Sequence, residues 1–197
     1  MAKSAFLSLA CASLITASPL LQDASNANIL AEVSPQPLLA SNETIDVNQI
    51  CQDKLCIFTN VATEWGVTYR NYKSLSHLAA KHADNLAVFY QPSNQFGKQE
   101  PLAGEELKQK LESYFASSDF ELTDNQYWFK RADVIGKDKT DLFATLSEKF
   151  PRNSIFGDDI QWNFEKFMVL RGKPIFGRIE ANIDPIDYEK EIDLILA

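Results

Sequence analysis

Cysteine is the residue type in this chain with the widest chemistry, and its three copies are Cys11, Cys51 and Cys56. Cys11 lies in an apolar N-terminal stretch that we expect to be removed, which leaves Cys51 and Cys56 in the mature protein. In an oxidising compartment this pair can form a disulfide, but two cysteines also behave as small buried hydrophobic residues. The spacing leaves both outcomes open, because it does not give the Cα separation that a bridge requires.

Trp65 stands at a predicted corner between a strand and a helix, directly before Gly66. Its indole offers one N–H donor and has no group that ionises near neutral pH. We therefore expect Trp65 to pack, near Trp162, and rank this above a cleft for a small ligand. Cys56 precedes Trp65 by nine positions. Because a strand rises about 3.3 Å per residue, we expect that thiol at the opposite end of the strand.

The two histidines, His77 and His82, are five residues apart on a predicted helix. This spacing does not place them on one helical face, so we expect no metal site from them. No other pattern in the chain indicates a bound cofactor.

The elements that must position these residues alternate between strand and helix. Residues 55–62 form an apolar run without strict alternation, which predicts a strand buried on both faces. Residues 69–83 carry apolar side chains at helical spacing, and a second buried strand (86–90) and a second helix (104–115) follow. This order predicts a βαβ unit and a parallel pair of strands.

The C-terminal half predicts a short amphipathic helix over 139–149, stopped by Pro151. A hairpin of 164–170 with 175–179 comes next, and a helix over 184–196 ends the chain. The complete order is β-α-β, α, β-β-α. It predicts an α/β protein of thioredoxin-like fold, with a central mixed β-sheet flanked by helices.

Three blocks carry a resemblance to a known family. Residues 60–68 read Asn-Val-Ala-Thr-Glu-Trp-Gly-Val-Thr, residues 92–101 read Pro-Ser-Asn-Gln-Phe-Gly-Lys-Gln-Glu-Pro, and residues 162–167 read Trp-Asn-Phe-Glu-Lys-Phe. They are similar to the glutathione peroxidase segments Asn-Val-Ala-Ser-x-Cys-Gly-Leu-Thr, Pro-Cys-Asn-Gln-Phe-Gly-x-Gln-Glu-Pro and Trp-Asn-Phe-x-Lys-Phe. The resemblance runs from about Asn42 to the C-terminus and lacks most of the first hairpin usual at the start of that family.

The resemblance implies a catalytic site in which a reactive cysteine or selenocysteine occupies the position of Trp65. Gln, Trp and Asn side chains of the family donate hydrogen bonds toward the chalcogen and the peroxide oxygen. Carried over, these are Gln95, Trp162 and Asn163. Ser93 stands where many relatives have a cysteine. The chain therefore resembles a glutathione peroxidase with both sulfur positions replaced.

The charge of the chain restricts its partners. Its 19 basic and 27 acidic residues give a net charge of -8, and no run of Lys and Arg is present. Nucleic acids and anionic membranes both require clustered positive charge, so neither is an expected partner. A small thiol, a peroxide or a protein ligand fits better.

The first 27 residues are typical of a signal peptide. Lys3 supplies a positive charge, residues 5–17 are apolar, and small residues surround Ala27. We therefore expect export, periplasmic or secreted, followed by a leader over 28–41 and a single glutathione-peroxidase-like domain over 42–197.

Our leading hypothesis is a glutathione-peroxidase-like protein of the oxidative-stress response type that has lost turnover and kept a binding or scaffold role, a pseudoenzyme. The alternative is an active thiol-dependent peroxidase that uses Cys51 and Cys56 or a partner's thiol. Only this alternative requires glutathione or thioredoxin as a reductant.

Overall fold

A five-stranded mixed sheet forms the centre of the computed structural model, which describes residues 27–116, 120–152, 157 and 159–197. A small hairpin of two short strands precedes it along the chain. The elements of the described part, in chain order, are β1 (Gln36–Pro37), β2 (Thr44–Ile45), α1 (Val47–Ile50), β3 (Leu55–Val61), α2 (Thr68–Lys81), β4 (Leu86–Pro92), α3 (Gly104–Ala116), β5 (Gln126–Trp128), α4 (Asp141–Lys149), β6 (Lys166–Leu170), β7 (Lys173–Ile179), a 3₁₀ turn (Pro185–Tyr188) and α5 (Glu189–Leu196).

The strands of the main sheet follow the order β5-β4-β3-β6-β7. β3 pairs in parallel with β4 and antiparallel with β6. β5 continues the parallel half beyond β4, and β7 pairs antiparallel with β6. All seven residues of β3 are buried, as expected for a strand covered on both faces. The predicted α/β fold with a central mixed sheet is confirmed.

Each face of the sheet has its own apolar core, because successive side chains of a strand point to opposite faces. Phe58 and Phe89 stack on the first face, with 4.8 Å between their ring centroids. This face is covered by α4 and by the segment that leads into α1. Ile57 and Val88 lie on the second face, against α2, α3 and α5.

Most of the predicted elements are confirmed, with ends that differ by a few residues. The hairpin of β6 and β7 turns through Arg171 and Gly172, whose φ angles are 51° and 76°. A two-residue hairpin turn needs two successive residues with a left-handed backbone conformation. The structure adds β1, β2, α1 and β5, which the periodicity did not predict, since each is too short to show a period.

The predicted leader over 28–41 packs on the domain. Leu30 is fully buried in the first core. β1 pairs with β2 across the predicted boundary at 42, and the backbone N–H of Leu39 donates to the carbonyl of Trp128. The predicted signal peptide lies, apart from Ala27, outside the described residues. None of the described helices is long and apolar enough to cross a membrane.

Candidate functional site

The candidate site is the corner between β3 and α2, at the carboxyl end of the two central parallel strands. Trp65 is half-buried there, and its indole stacks on Phe164 with 5.7 Å between ring centroids and 23° between ring planes. The Thr68 hydroxyl donates to the carbonyl of Ala62 at 2.6 Å and so closes the corner. Trp65 therefore packs on Phe164.

Trp162 is not the partner of Trp65, contrary to our expectation. Its side chain is 40% exposed, and its nearest aromatic contact is Phe96, at 6.1 Å between ring centroids. The residue that reaches Trp65 is Phe164, two positions further along the chain. Phe164 has a φ angle of 61°, a left-handed conformation that residues other than glycine rarely adopt.

Asn60, the penultimate residue of β3, holds this unusual turn in place. Its amide Nδ2 donates to the carbonyl of Trp162 at 2.8 Å, and its Oδ1 accepts from the N–H of Glu165 at 3.0 Å. Its own carbonyl accepts from the N–H of Phe164 at 2.6 Å. Asn60 is fully buried. One buried residue therefore fixes the segment that carries Trp162, Asn163 and Phe164.

Asn163 joins the corner to the loop that follows β4. It is fully buried, and its Nδ2 donates to Oε1 of Gln99 at 2.8 Å. The carbonyl of Gln99 accepts from the N–H of Glu64, the residue before Trp65, at 3.0 Å. Asn163, Gln99 and the corner therefore form one connected group.

Gln95 does not belong to that group, which corrects the sequence-based assignment. Its Oε1 accepts from the backbone N–H groups of Val134 and Ile135 at 2.8 and 3.0 Å, and its Nε2 donates to the carbonyl of Ile135 at 3.0 Å. The side chain thus supports the loop after β5. Gln99 takes the place that we expected for Gln95.

The backbone explains why the two glutamines point apart. Gly97 and Lys98 both have left-handed φ angles, of 61° and 55°, so the loop reverses its direction between Gln95 and Gln99. A Cβ at Gly97 would also crowd the side chain of Gln99. The glycine was a signal for a turn, and that turn is what brings the second glutamine to the corner.

Glu100 is a site residue that sequence reasoning missed. Its fully buried carboxylate accepts from the N–H and the hydroxyl of Thr63, each at 2.9 Å. Burial raises the pKa of Glu100 to about 7, against the two bonds from Thr63, which lower it. Glu64 raises this pKa further, and Arg131 opposes it. No sequence signal predicted this burial, because an isolated acidic residue in a loop is usually solvated.

Cys51 and Cys56 lie far from this corner. They are joined in a disulfide with a Cα separation of 5.9 Å, and both are fully buried. Cys56 is the second residue of β3, whereas Trp65 follows the other end of that strand. The bridge ties the end of α1 to the start of β3 and brings no sulfur to the corner.

The corner therefore presents aromatic surface at the half-buried Trp65, while Asn163 is fully buried and bonded to Gln99. Among the described residues, no three His, Cys, Asp or Glu side chains are grouped to hold a metal ion. His77 contacts Glu189 of α5 and His82 contacts Asp193 of the same helix, so the two histidines have different partners.

Comparisons with known proteins identify the family of this chain. A family model described as glutathione peroxidase matches residues 34–147, and so includes the leader segment from residue 34. A probable mitochondrial glutathione peroxidase 3 of Arabidopsis thaliana is 34% identical over 145 residues, which are 73% of this chain and 66% of that protein. A probable phospholipid hydroperoxide glutathione peroxidase of Citrus sinensis is 32% identical over 158 residues, 80% of this chain and 89% of that protein.

The solved structures bear on the fold. The apo form of Trgpx has a TM-score of 0.61 at 22% identity, covering 87% of this chain and 97% of that chain. T. cruzi GPX1 has the same TM-score at 21% identity, and the match covers 83% of this chain and 94% of that chain. The match to the family model and the identity to curated relatives lead to one conclusion: this chain belongs to the glutathione peroxidase family, whose members are peroxide-reducing oxidoreductases.

Proposed function

We propose that this protein keeps the glutathione peroxidase scaffold without chalcogen-based turnover and acts by binding, as a scaffold or ligand-binding protein in the response to oxidative stress. The observation that carries the proposal is the stacking of Trp65 on Phe164 at the corner where relatives place a cysteine or selenocysteine. An indole cannot form a thiolate and so cannot attack a peroxide O–O bond as a thiolate does.

The position of the remaining sulfur supports this proposal. A reactive cysteine needs solvent access and an electropositive setting. Cys51 and Cys56 are fully buried and joined to each other, at the end of β3 opposite Trp65. Reduction and solvent exposure of both would be needed before either thiol could reach a peroxide.

The test is hydroperoxide consumption with glutathione or with thioredoxin and its reductase as electron donor. We expect no steady turnover from the natural chain. The alternative function, a thiol-dependent peroxidase using Cys51 and Cys56, requires turnover that Cys51→Ala and Cys56→Ala abolish, and that result would replace our proposal. Turnover that survives both changes would indicate a partner's thiol.

A single substitution tests whether the corner alone accounts for the loss. In Trp65→Cys, Asn163 and Gln99 remain bonded to each other beside the corner, so we expect peroxide reduction about a hundredfold above Trp65→Ser, the lower end of what one such donor contributes. Trp65→Ser is the matched control, because it opens the same space without a thiol. Equal rates for the two variants would mean that the corner no longer supports the family's chemistry.

The proposed location is outside the cytoplasm. Lys3, the apolar run over 5–17 and the small residues near Ala27 support a signal peptide. Fusion of residues 1–27 to a reporter enzyme that functions only after export tests this, with Lys3→Glu and a charged residue in the apolar run as controls. A reporter retained in the cytoplasm would contradict it.

A further inference from the structure

Aromatic side chains form a continuous series from the corner to the protein surface. Trp65 contacts Phe164, with 5.7 Å between ring centroids, and Phe164 contacts Tyr72 at 5.3 Å. Tyr72 contacts Tyr114 at 6.1 Å, and Tyr114 contacts Tyr69 at 6.4 Å. We call this set the aromatic series. It begins with an indole at the corner and ends with a phenol.

Both ends of the aromatic series reach solvent, whereas its middle is enclosed. Trp65 is half-buried, and Tyr69 is 46% exposed on the wall of a cleft of about 590 Å³. Phe164 and Tyr72, which come between them, are buried. A solute can therefore meet the series at Trp65, and a different solute can meet it at Tyr69.

The residue types of the series suit the passage of single electrons. Indoles and phenols are the aromatic side chains that strong oxidants convert to radicals, and each gives up its N–H or O–H proton in doing so. The ring of Phe164 is not oxidised in this way, but it contacts Trp65 on one side and Tyr72 on the other. Near neutral pH a phenoxyl radical is more stable than an indolyl radical. The oxidising equivalent therefore moves from tryptophan toward tyrosine.

Burial makes Tyr69 the favoured end of that movement. A phenol that becomes a radical must release its proton, and burial raises the pKa of Tyr72 well above its ordinary value. Burial also raises the pKa of Tyr114. Tyr69 is exposed and can release its proton to water. Tyr72 and Tyr114 therefore serve as bridging rings.

The other two tryptophans are placed differently. Trp162 contacts Phe96, outside the aromatic series, at 6.1 Å. Trp128 stacks on Tyr90 at 4.4 Å, and Tyr90 contacts Tyr72 at 5.4 Å, so this pair forms a side branch. Trp162 is therefore a matched comparison for Trp65, because it is an accessible indole without a ring contact to the series in this arrangement.

We propose that the aromatic series carries single oxidising equivalents from Trp65 to Tyr69, and that the protein thereby quenches alkoxyl radicals, the one-electron reduction products of organic hydroperoxides. The alkoxyl radical takes a hydrogen atom from the indole N–H, which gives an alcohol and an indolyl radical. Tyr69 supplies an electron through the series and releases its proton to water, while the indole nitrogen regains a proton from water. An enediol reductant in solution then returns a hydrogen atom to the phenoxyl oxygen.

The net reaction converts one alkoxyl radical and one enediol into an alcohol and an enediol-derived radical. It needs no thiol, and it goes beyond the binding role proposed above. Its tests do not measure hydroperoxide turnover, so their outcome is independent of the test of that role.

Pulse radiolysis with azide radicals, which oxidise tryptophan to the indolyl radical, tests the transfer. The indolyl and phenoxyl radicals absorb at different wavelengths, so the decay of one and the growth of the other are followed together. Trp128→Phe with Trp162→Phe leaves Trp65 as the one indole. We expect a first-order conversion in this protein whose rate is independent of protein concentration. In Trp65→Phe with Trp128→Phe, which leaves Trp162, we expect this phase to be lost.

Removal of the outer phenols tests the end of the series. In the protein that keeps Trp65, Tyr69→Phe with Tyr114→Phe should leave the indolyl radical without conversion. Tyr188→Phe is the control, because Tyr188 packs on Phe176, outside the series. It should leave the conversion unchanged, and near-ultraviolet circular dichroism shows whether each variant keeps its aromatic packing. Equal conversion in the two single-tryptophan proteins, or conversion that persists without the outer phenols, would mean that the rings only pack.

A second experiment uses alkoxyl radicals themselves. tert-Butoxyl radicals are generated by photolysis of di-tert-butyl peroxide in the presence of a nitroso spin trap, and mass spectrometry locates the trapped protein radical. In the natural chain we expect the adduct on Tyr69, and in Trp65→Phe we expect that adduct to be lost. An equal yield on Tyr69 in both proteins would show direct attack at the surface and would overturn the proposal.

Discussion

At the scale of single residues, the buried carboxyl of Glu100 makes the stability of the protein depend on pH. It sits beside the corner, bonded to Thr63, and its burial raises its pKa from 4.5 to about 7. The folded protein holds this proton up to about pH 7, whereas the unfolded chain releases it near 4.5. The folded state thus binds more protons between these values, and stability falls as the pH rises through this window.

The first prediction is that Glu100→Gln removes this loss of stability. Glutamine has the same shape, keeps an oxygen that accepts from the N–H of Thr63, and carries no charge to bury. Relative to the natural chain, we expect similar stability at pH 4.5 and a gain on the order of 2 kcal/mol at pH 8. Urea unfolding at a series of pH values measures this difference.

Glu43→Gln is its control, because Glu43 is exposed and is not among the groups that shift the pKa of Glu100. Its effect on stability should stay within about 0.5 kcal/mol, as for most surface substitutions. If Glu100→Gln lowered stability at pH 8, the negative charge on Glu100 would be a requirement of the corner.

At the scale of elements, the amide of Asn60 links the end of β3 to the turn before β6. Both polar atoms of its side chain are bonded to backbone groups of that turn, at Trp162 and Glu165. Removal of a buried partner leaves the other group unsatisfied. The turn that carries Trp162 and Asn163 therefore depends on one side chain of a neighbouring strand.

The second prediction concerns Asn60→Ala, which we expect to lower the free energy of unfolding by about 3 kcal/mol, since two backbone groups lose their partners. The loosened turn should also change the solvent contact of Trp162. Acrylamide quenching of its fluorescence, with Trp65 and Trp128 both replaced by Phe, measures this change.

Asn125→Ala is the control for that experiment. Asn125 is also buried, and its Nδ2 donates to the carbonyls of Ala79 and Leu86, toward the opposite end of the sheet. Its loss should destabilise the protein by a similar amount and leave the quenching of Trp162 unchanged. The same quenching change in both variants would mean that Asn60 has no specific part in positioning the turn.

Elements with a clear period were predictable from the sequence, and the polar contacts between them were not. β3 was recognised from its apolar run and α2 from its helical spacing, whereas β5, with three residues, shows no period. Gln95 was carried over from the family resemblance, and the sequence does not show on which side of the turn at Gly97 each glutamine side chain lies. The burial of Glu100 likewise follows from loop packing, which no local pattern encodes.

At the scale of the whole molecule, the disulfide Cys51–Cys56 joins the N-terminal hairpin region to the central sheet. It closes a loop with a sequence separation of five. A crosslink stabilises a protein mainly by restricting the unfolded chain, and a short loop contributes less than a long one. Because both sulfur atoms are buried, a reductant should act on the bridge mainly when the protein opens.

The third prediction is that reduction lowers the free energy of unfolding by about 2 kcal/mol, the value that chain entropy gives for a loop of this length. Equilibrium unfolding with and without dithiothreitol measures it. In the double variant Cys51→Ala, Cys56→Ala, dithiothreitol should leave the free energy of unfolding unchanged. An equal stability of the natural chain in both conditions would show that the bridge has no energetic role.

The burial of Leu30 determines how far this protein can be shortened. The chain from Asn28 to Val33 looks like a linker in sequence, yet Leu30 is fully buried, and a side chain at Gly172 would collide with Asn28. A recombinant version that starts at Asn42, where the sequence resemblance begins, would lack Leu30. Its loss would leave a cavity in the first apolar core. We expect this version to aggregate, whereas a version that starts at Ala27 should remain monodisperse in size-exclusion chromatography.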